Sequence, residues 1–334
     1  MCCPSSRART SWSCPGWAGW SSGPAPTGGP GSCSSRAVRT ATGRPGPTNP
    51  RPRRDRRPGG TAEGGAMNFA DLRPGRVRDY IDAVKGGEFW LFQHIPKTAG
   101  SSLAAELAAN RPPYRNIHIS FGQPGAAPEQ QRDAAVQAFL EEARGRQFRS
   151  ASGHLRFRNV EAILAAMPHT RLFTFVREPV SRVISEYNYC RSPEHHNPEA
   201  FARAFPTLED FAASVESSNK MALYITGERN VKPDELVDFA FRRFAFIGSQ
   251  KIYGLSFRLL STLLWYETEQ QARLRVSGNR DPRSGVAAET LKMIRQANRA
   301  DLALFNAVSA VYRACRDEII TELRRRRAAR RQAS

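Results

Sequence analysis

The apolar run Phe89-Trp90-Leu91-Phe92, continuing to Ile95, has the length and density of a buried strand. A tight turn of small residues with one cation follows, from Pro96 to Ser102. Leu103, Ala104, Ala105, Leu107 and Ala108 then favour a helix. The same rhythm returns downstream. Arg171 to Val176 predicts a second buried strand. Pro179 suits the first position of a helix, and Val180, Val183, Ile184 and Tyr187 fall at i, i+3, i+4 and i+7 on one apolar face.

Between these units lies a linker rich in Pro and Gly, with Pro112, Pro113, Pro124, Gly125 and Pro128. After it come a helix over Ala134–Ala143, a short strand within Phe148–Leu155, and a helix over Val160–Met167 closed by Pro168. Thr207 and Asp210 have the spacing of a capping box. Phe244–Gly248 reads as a strand, and helices are predicted over about 252–266, 286–298 and 299–316. Strands alternating with helices predict an α/β fold of three layers, α/β/α, around a mainly parallel sheet. Ligands in such sheets bind beyond the carboxyl ends of the strands. Both turns described above follow strands directly.

Composition divides the chain of 334 residues unequally. Residues 1–66 are dominated by Ser, Pro, Gly, Arg and Thr without apolar periodicity, which is too little apolar surface to offset ordering entropy. A disordered tail, or upstream coding sequence ahead of a start at Met67, both fit this extension. The richness in Arg, Pro, Gly and Ala suits a GC-rich, bacterial genome. Cys2, Cys3, Cys14 and Cys33 lie in the extension without a paired C-x-x-C spacing, so neither a zinc site nor a disulfide set is expected. Residues 67–323 form the predicted functional domain, and 324–334 a basic tail. The net charge of +19 is concentrated at the ends. The extension holds ten Arg against Asp55 and Glu63, and Arg324–Arg327 with Arg330 and Arg331 add six more cations. The rest is only mildly basic, as suits a domain that takes anionic ligands. The C-terminal run reads as a solvated, frayed helix end, with contact to nucleic acid or acidic membrane as the other possibility. No apolar h-region opens the chain, and no apolar run reaches the roughly 18 residues of a membrane span. A reducing cytoplasm is therefore the expected compartment, with Cys190 and Cys315 as thiols.

The turn after the first strand is an anion cradle. The first N–H groups of a helix lack internal partners and carry partial positive charge. A phosphate placed there would meet them, the Lys97 cation, and the hydroxyls of Thr98, Ser101 and Ser102. The order differs from the ATP-binding G-x-x-x-x-G-K-[ST] loop, because Lys97 precedes Gly100 and the turn is shorter. It suits one phosphate with an attached group, and no acidic strand end offers itself to magnesium. After the second strand, Arg177 presents a planar fork for phosphate, with Ser185 two turns into the next helix.

Together these segments resemble a known family. Phe92-Gln-His-Ile-Pro-Lys-Thr-Ala-Gly-Ser-Ser102 resembles the 5′-phosphosulfate-binding loop of sulfotransferases that use 3′-phosphoadenosine-5′-phosphosulfate (PAPS). Val176-Arg-Glu-Pro-Val-Ser-Arg-Val-Ile-Ser-Glu-Tyr187 resembles their 3′-phosphate motif. The flavour is that of the carbohydrate branch, including the heparan sulfate 2-O- and 6-O-sulfotransferases. Ser152-Gly-His154, Ser218-Asn-Lys-Met-Ala-Leu223 with Phe246-Ile-Gly248, and Asn298 to Phe305 are fainter echoes. The resemblance spans about residues 88–316. It implies a P-loop nucleotide-hydrolase-like sulfotransferase fold and transfer of a sulfuryl group from PAPS to an acceptor hydroxyl, on a carbohydrate, without a metal. It assigns Pro96, Lys97, Thr98, Ala99, Gly100, Ser101 and Ser102 to the 5′-phosphate, and Arg177 and Ser185 to the 3′-phosphate. Lys97 would also stabilise the bridging oxygen of the leaving nucleotide.

The acceptor hydroxyl needs a base, and His is suited. His154, after a Gly at a strand end, is the first candidate and His94 the alternative. His195 and His196 fall in a Pro-rich loop and are expected in solvent; His118 and His169 carry no argument. Glu186 is expected to pair with Arg182 four residues earlier, while Glu178 is simply a nearby carboxylate. Arg156 and Arg158 flank His154, where they would steer an acidic acceptor or merely face solvent. Acceptor loops are expected around 111–133 and 190–206. Two rival readings remain: an ATP-dependent small-molecule kinase, and a non-catalytic basic protein binding nucleic acid or an acidic surface through its Arg-rich ends.

Overall fold

The computed structural model describes residues 67–98, 100–118, 127–264 and 283–333. The 1–66 extension and part of the expected 111–133 acceptor loop lie outside them. Five strands form one parallel sheet: β1 (Phe89–Gln93), β2 (Tyr114–Asn116), β3 (Ser150–Gly153), β4 (Thr170–Val176) and β5 (Phe246–Ser249). Their order is β2-β3-β1-β4-β5. β1 is buried at every position, as a central strand covered on both faces must be. Phe92 stands opposite Ser152 of β3 and Phe173 of β4.

Twelve α-helices complete the described chain: α1 (Val77–Val84), α2 (Gly100–Asn110), α3 (Pro128–Gly145), α4 (Phe157–Ala166), α5 (Pro179–Cys190), α6 (Pro198–Ala204), α7 (Leu208–Ala213), α8 (Lys220–Thr226), α9 (Pro233–Arg243), α10 (Tyr253–Leu263), α11 (Ala288–Ala297) and α12 (Arg299–Ala333). The alternation along β1 and β4 shows the layers, because successive side chains point to opposite faces. Phe89 stacks on Phe139 of α3, and the Gln93 amide donates to the Tyr224 carbonyl of α8. On the other face Phe92 stacks on Phe173, and Phe175 meets Tyr253 of α10. The sheet is thus sandwiched, as expected.

Several helices begin where the sequence says they should. Pro179 opens α5 behind Glu178, whose carboxylate accepts from the Val180 and Ser181 N–H groups. Thr207 and Asp210 form the expected capping box at α7. The apolar face of α5 packs with Phe201 of α6, Phe211 of α7 and Ile294 of α11 in a satellite core.

Other expectations shift. The 111–133 linker contains β2, paired with β3, and α3 starts at Pro128 rather than near 134, because a proline at the first helical position extends it backward. The Arg-rich C-terminus is not frayed: α12 stays helical to Ala333, Arg326 bonds Asp82 of α1 at 2.8 Å, and Arg325 and Arg326 share Glu322. Among the described residues no helix is long and apolar enough to cross a membrane.

From β1 the chain runs to β2, on one side of the sheet; from β4 it runs to β5, on the other. The carboxyl ends of β1 and β4 therefore flank the crevice where strand order reverses.

Candidate functional site

The loop after β1 holds its own shape. The Thr98 hydroxyl is buried and donates to the Ile95 carbonyl at 2.8 Å, so it closes the turn instead of offering its proton outward. Lys97 takes a left-handed backbone conformation, φ +66°, which costs a non-glycine residue about 1–3 kcal/mol and persists only where the surroundings enforce it. Pro96 is buried beside it, and Ser102 is half-buried in the first turn of α2. Ala99 and the side chain of Ser101 lie outside the described residues.

Gly100 opens α2 against the His94 ring. A Cβ there would lie 1.9 Å from His94 Nε2. That ring has little room to yield, since it is sandwiched between Phe92 (ring centroids 5.3 Å apart) and His154 (4.1 Å).

The segment after β4 meets this loop directly. Arg177 Nη1 donates to the Lys97 carbonyl at 3.1 Å, and its buried Nε has no protein partner. Lys97 Nζ sits 4.1 Å above the ring of Tyr189, near the end of α5. Two contacts thus join the paired motifs across adjacent strands. Burial, and then the neighbouring Arg182 cation, lower the Arg177 pKa. Ser185 is half-buried, and its hydroxyl bonds no protein group among the described residues.

α5 is anchored by charge. Arg182, fully buried, donates to Glu186 at 2.7 Å and to the Ser217 carbonyl at 2.9 Å, and Lys220 of α8 bonds the second Glu186 oxygen. Burial alone would raise the Glu186 pKa; Lys220 and then Arg182 outweigh it and hold the carboxylate ionised. The Arg182–Glu186 pair was expected, and the sequence contains no local signal for Lys220. Behind it, Asp301 of α12 accepts from the Met221 and Ala222 N–H groups at the head of α8, and Asn298 accepts from the Asn219 N–H. Two of the three fainter sequence echoes, Ser218–Leu223 and Asn298–Phe305, therefore meet in a structural clasp.

His154 follows Gly153, where a Cβ would fall 2.5 Å from the Ile117 carbonyl oxygen. Its Nδ1 lies 2.9 Å from the His94 carbonyl. A carbonyl only accepts, so Nδ1 carries the proton and Nε2 keeps its lone pair. Burial pushes the His154 pKa down to about 4, with the cations Arg132 and Lys97 adding to the shift and the carbonyl bond opposing it. His94 is driven well below its ordinary value by burial, His154 and Lys97. Both rings are neutral near pH 7. His94 is enclosed and serves as the platform, while half-buried His154 is the one with access to the crevice.

His195 departs from expectation. It is buried, held edge-on to Tyr189 and Phe201, while His196 is exposed. The aromatic side chains spaced through 187–205 enclose it, a signal that outweighs the prolines around it.

No family model matches the chain, and no curated protein matches it. Among solved structures, mouse sulfotransferase SULT7A1 complexed with PAP is similar over 69% of this chain and 72% of its own, with 14% identity and a TM-score of 0.27. A likeness at that score carries no weight for the site, whose reading rests on the residues themselves.

Proposed function

We propose that this chain is a PAPS-dependent sulfotransferase acting on an acceptor hydroxyl, on a carbohydrate. One observation carries the reading: Arg177, from the end of β4, bonds the backbone of Lys97 in the loop after β1, so two segments that each resemble half of a PAPS site open on one crevice. A nucleotide bearing phosphates at both 3′ and 5′ positions matches that pairing. Arg177 and Ser185 would take the 3′-phosphate. The head of α2, with Lys97 and Ser102, would take the 5′-phosphate; Thr98 contributes by closing the loop.

The chemistry follows from charge. Sulfuryl transfer is treated by analogy with in-line phosphoryl transfer. The bond from sulfur to the bridging oxygen breaks, negative charge grows on that oxygen, and the Lys97 ammonium stabilises it on leaving its place over Tyr189. The acceptor oxygen attacks sulfur and its proton passes to His154 Nε2. Lys97 and the N–H groups of α2 supply the charge that a metal would otherwise bring.

The test is sulfate transfer from labelled PAPS to a panel of saccharides. His154→Ala should reduce turnover by about 10²–10⁴-fold while PAP, the 3′,5′-bisphosphate product, still binds. A base must be neutral, so kcat/KM should fall on the acid side near pH 4, following the depressed pKa, rather than near the unperturbed value of about 6.5. Full activity of His154→Ala, or of Lys97→Ala, contradicts the assignment.

A further inference from the structure

We infer that Tyr189 is a positioning residue for Lys97: its ring is the resting place of the ammonium, and gives the ammonium up to the 5′-phosphate of a bound nucleotide. The inference rests on the sulfotransferase reading and deepens it. Lys97 Nζ lies 4.1 Å from the centroid of the Tyr189 ring. Among the described residues the ammonium has no carboxylate and no hydrogen-bond acceptor, so the ring is its one partner there. Tyr189 lies just past the segment that resembles the 3′-phosphate motif, which closes at Tyr187.

Both ends of the contact are anchored. The Lys97 backbone keeps φ +66°, and its carbonyl accepts from Arg177 at 3.1 Å. The Tyr189 ring stands at right angles to the His195 ring, with planes 89° and centroids 5.7 Å apart. Its hydroxyl donates to the Glu194 carbonyl at 3.4 Å, and its own carbonyl accepts from the Ser192 hydroxyl at 2.8 Å. The flexible stem of Lys97 is therefore the part that moves.

A ring and a carboxylate hold a cation differently. A carboxylate would neutralise Lys97 and compete with a phosphate through the same kind of charge-assisted bond. Lys97 and Tyr189 are both half-buried, and a ring face at such a site favours the resting cation only about two- to fivefold. A charge-assisted bond to phosphate is worth about tenfold or more. The ring thus fixes the ammonium in the empty site and yields it to the stronger partner. Because the ring contact exists only in the free protein, it opposes nucleotide binding.

Calorimetry and NMR on the full chain test this. Tyr189→Leu should bind PAP about two- to fivefold more tightly than the wild type, and Tyr189→Phe, which keeps a ring face, should bind as the wild type does. In a Lys97→Met background, Tyr189→Leu should change nothing, because the pair no longer exists. A purely packing role predicts the reverse: weaker binding in Tyr189→Leu, with or without Lys97. For the second readout, the chain's six lysines receive isotopically labelled methyl groups by reductive methylation, which keeps their charge. The Lys97 signal, identified by its loss in Lys97→Met, should be shifted upfield by the ring in the free protein. It should return to its ordinary position in Tyr189→Leu and on saturation with PAP. Where PAP binds, unchanged or weaker binding in Tyr189→Leu, or the same gain without Lys97, overturns the proposal; so does an unshifted Lys97 signal in the free wild type. A signal shifted by Tyr189 in a wild type that binds no PAP leaves the resting place standing and removes the sulfotransferase reading.

Discussion

The loop after β1 keeps its form with its own atoms. Thr98 bonds Ile95, Lys97 accepts a strained backbone, and Gly100 leaves room for the His94 ring. The segment after β4 uses partners drawn from far along the chain: Lys220 of α8 completes the charge around Glu186, and Asp301 of α12 caps the helix that carries Lys220. One segment is shaped mainly by close packing around its own turn, with the His154 ring and Arg177 closing on it from neighbouring strands. The other is held by electrostatics among three helices. The difference sets how each should fail.

The largest effect is expected in the second segment. Glu186→Ala leaves Arg182 and Lys220 buried without a counter-charge, and removing one partner of a buried pair costs about 3–5 kcal/mol. Urea denaturation of the full chain should show that loss as a lower midpoint. A change below about 1 kcal/mol, the size of a surface pair, would mean the triad does not anchor α5.

Gly100→Ala should act differently. The new Cβ meets a ring that cannot step aside, so the head of α2 must shift. A displacement of roughly 1 Å can cost about a hundredfold where geometry matters. PAP affinity should fall by about that factor, with the urea midpoint falling much less than in Glu186→Ala. If affinity is retained, the head of α2 is not the 5′-phosphate cradle.

The same contrast explains what could be read without coordinates. β1, its loop, β4 and the start of α5 are marked by short-range pattern: buried apolar runs, a proline at the first helical position, side chains at helical spacing. The Arg182–Glu186 pair is legible because both residues share one helix turn. Lys220 is 34 positions beyond Glu186, and no local rule points to it. β2 has three residues and takes its identity from pairing with β3, so composition reads it as linker. Even Thr98, correctly located, has a different task from the one its hydroxyl suggests, because the nearest acceptor is its own loop. The basic C-terminus also changes meaning: Arg326 turns inward to Asp82, which weakens the reading of that run as a nucleic-acid arm.

The central claim is that the ends of β1 and β4 grip the two phosphates of one adenosine nucleotide. Calorimetric titration of the full chain with PAP, 5′-AMP and ATP tests it most directly, in the wild type and in Arg177→Ala. PAP should bind at least about tenfold more tightly than 5′-AMP, because a charge-assisted contact to the 3′-phosphate is worth about 1.5–3 kcal/mol, and Arg177→Ala should close most of that gap. Equal affinity for PAP and 5′-AMP in the wild type, or a preference for ATP, would contradict the account.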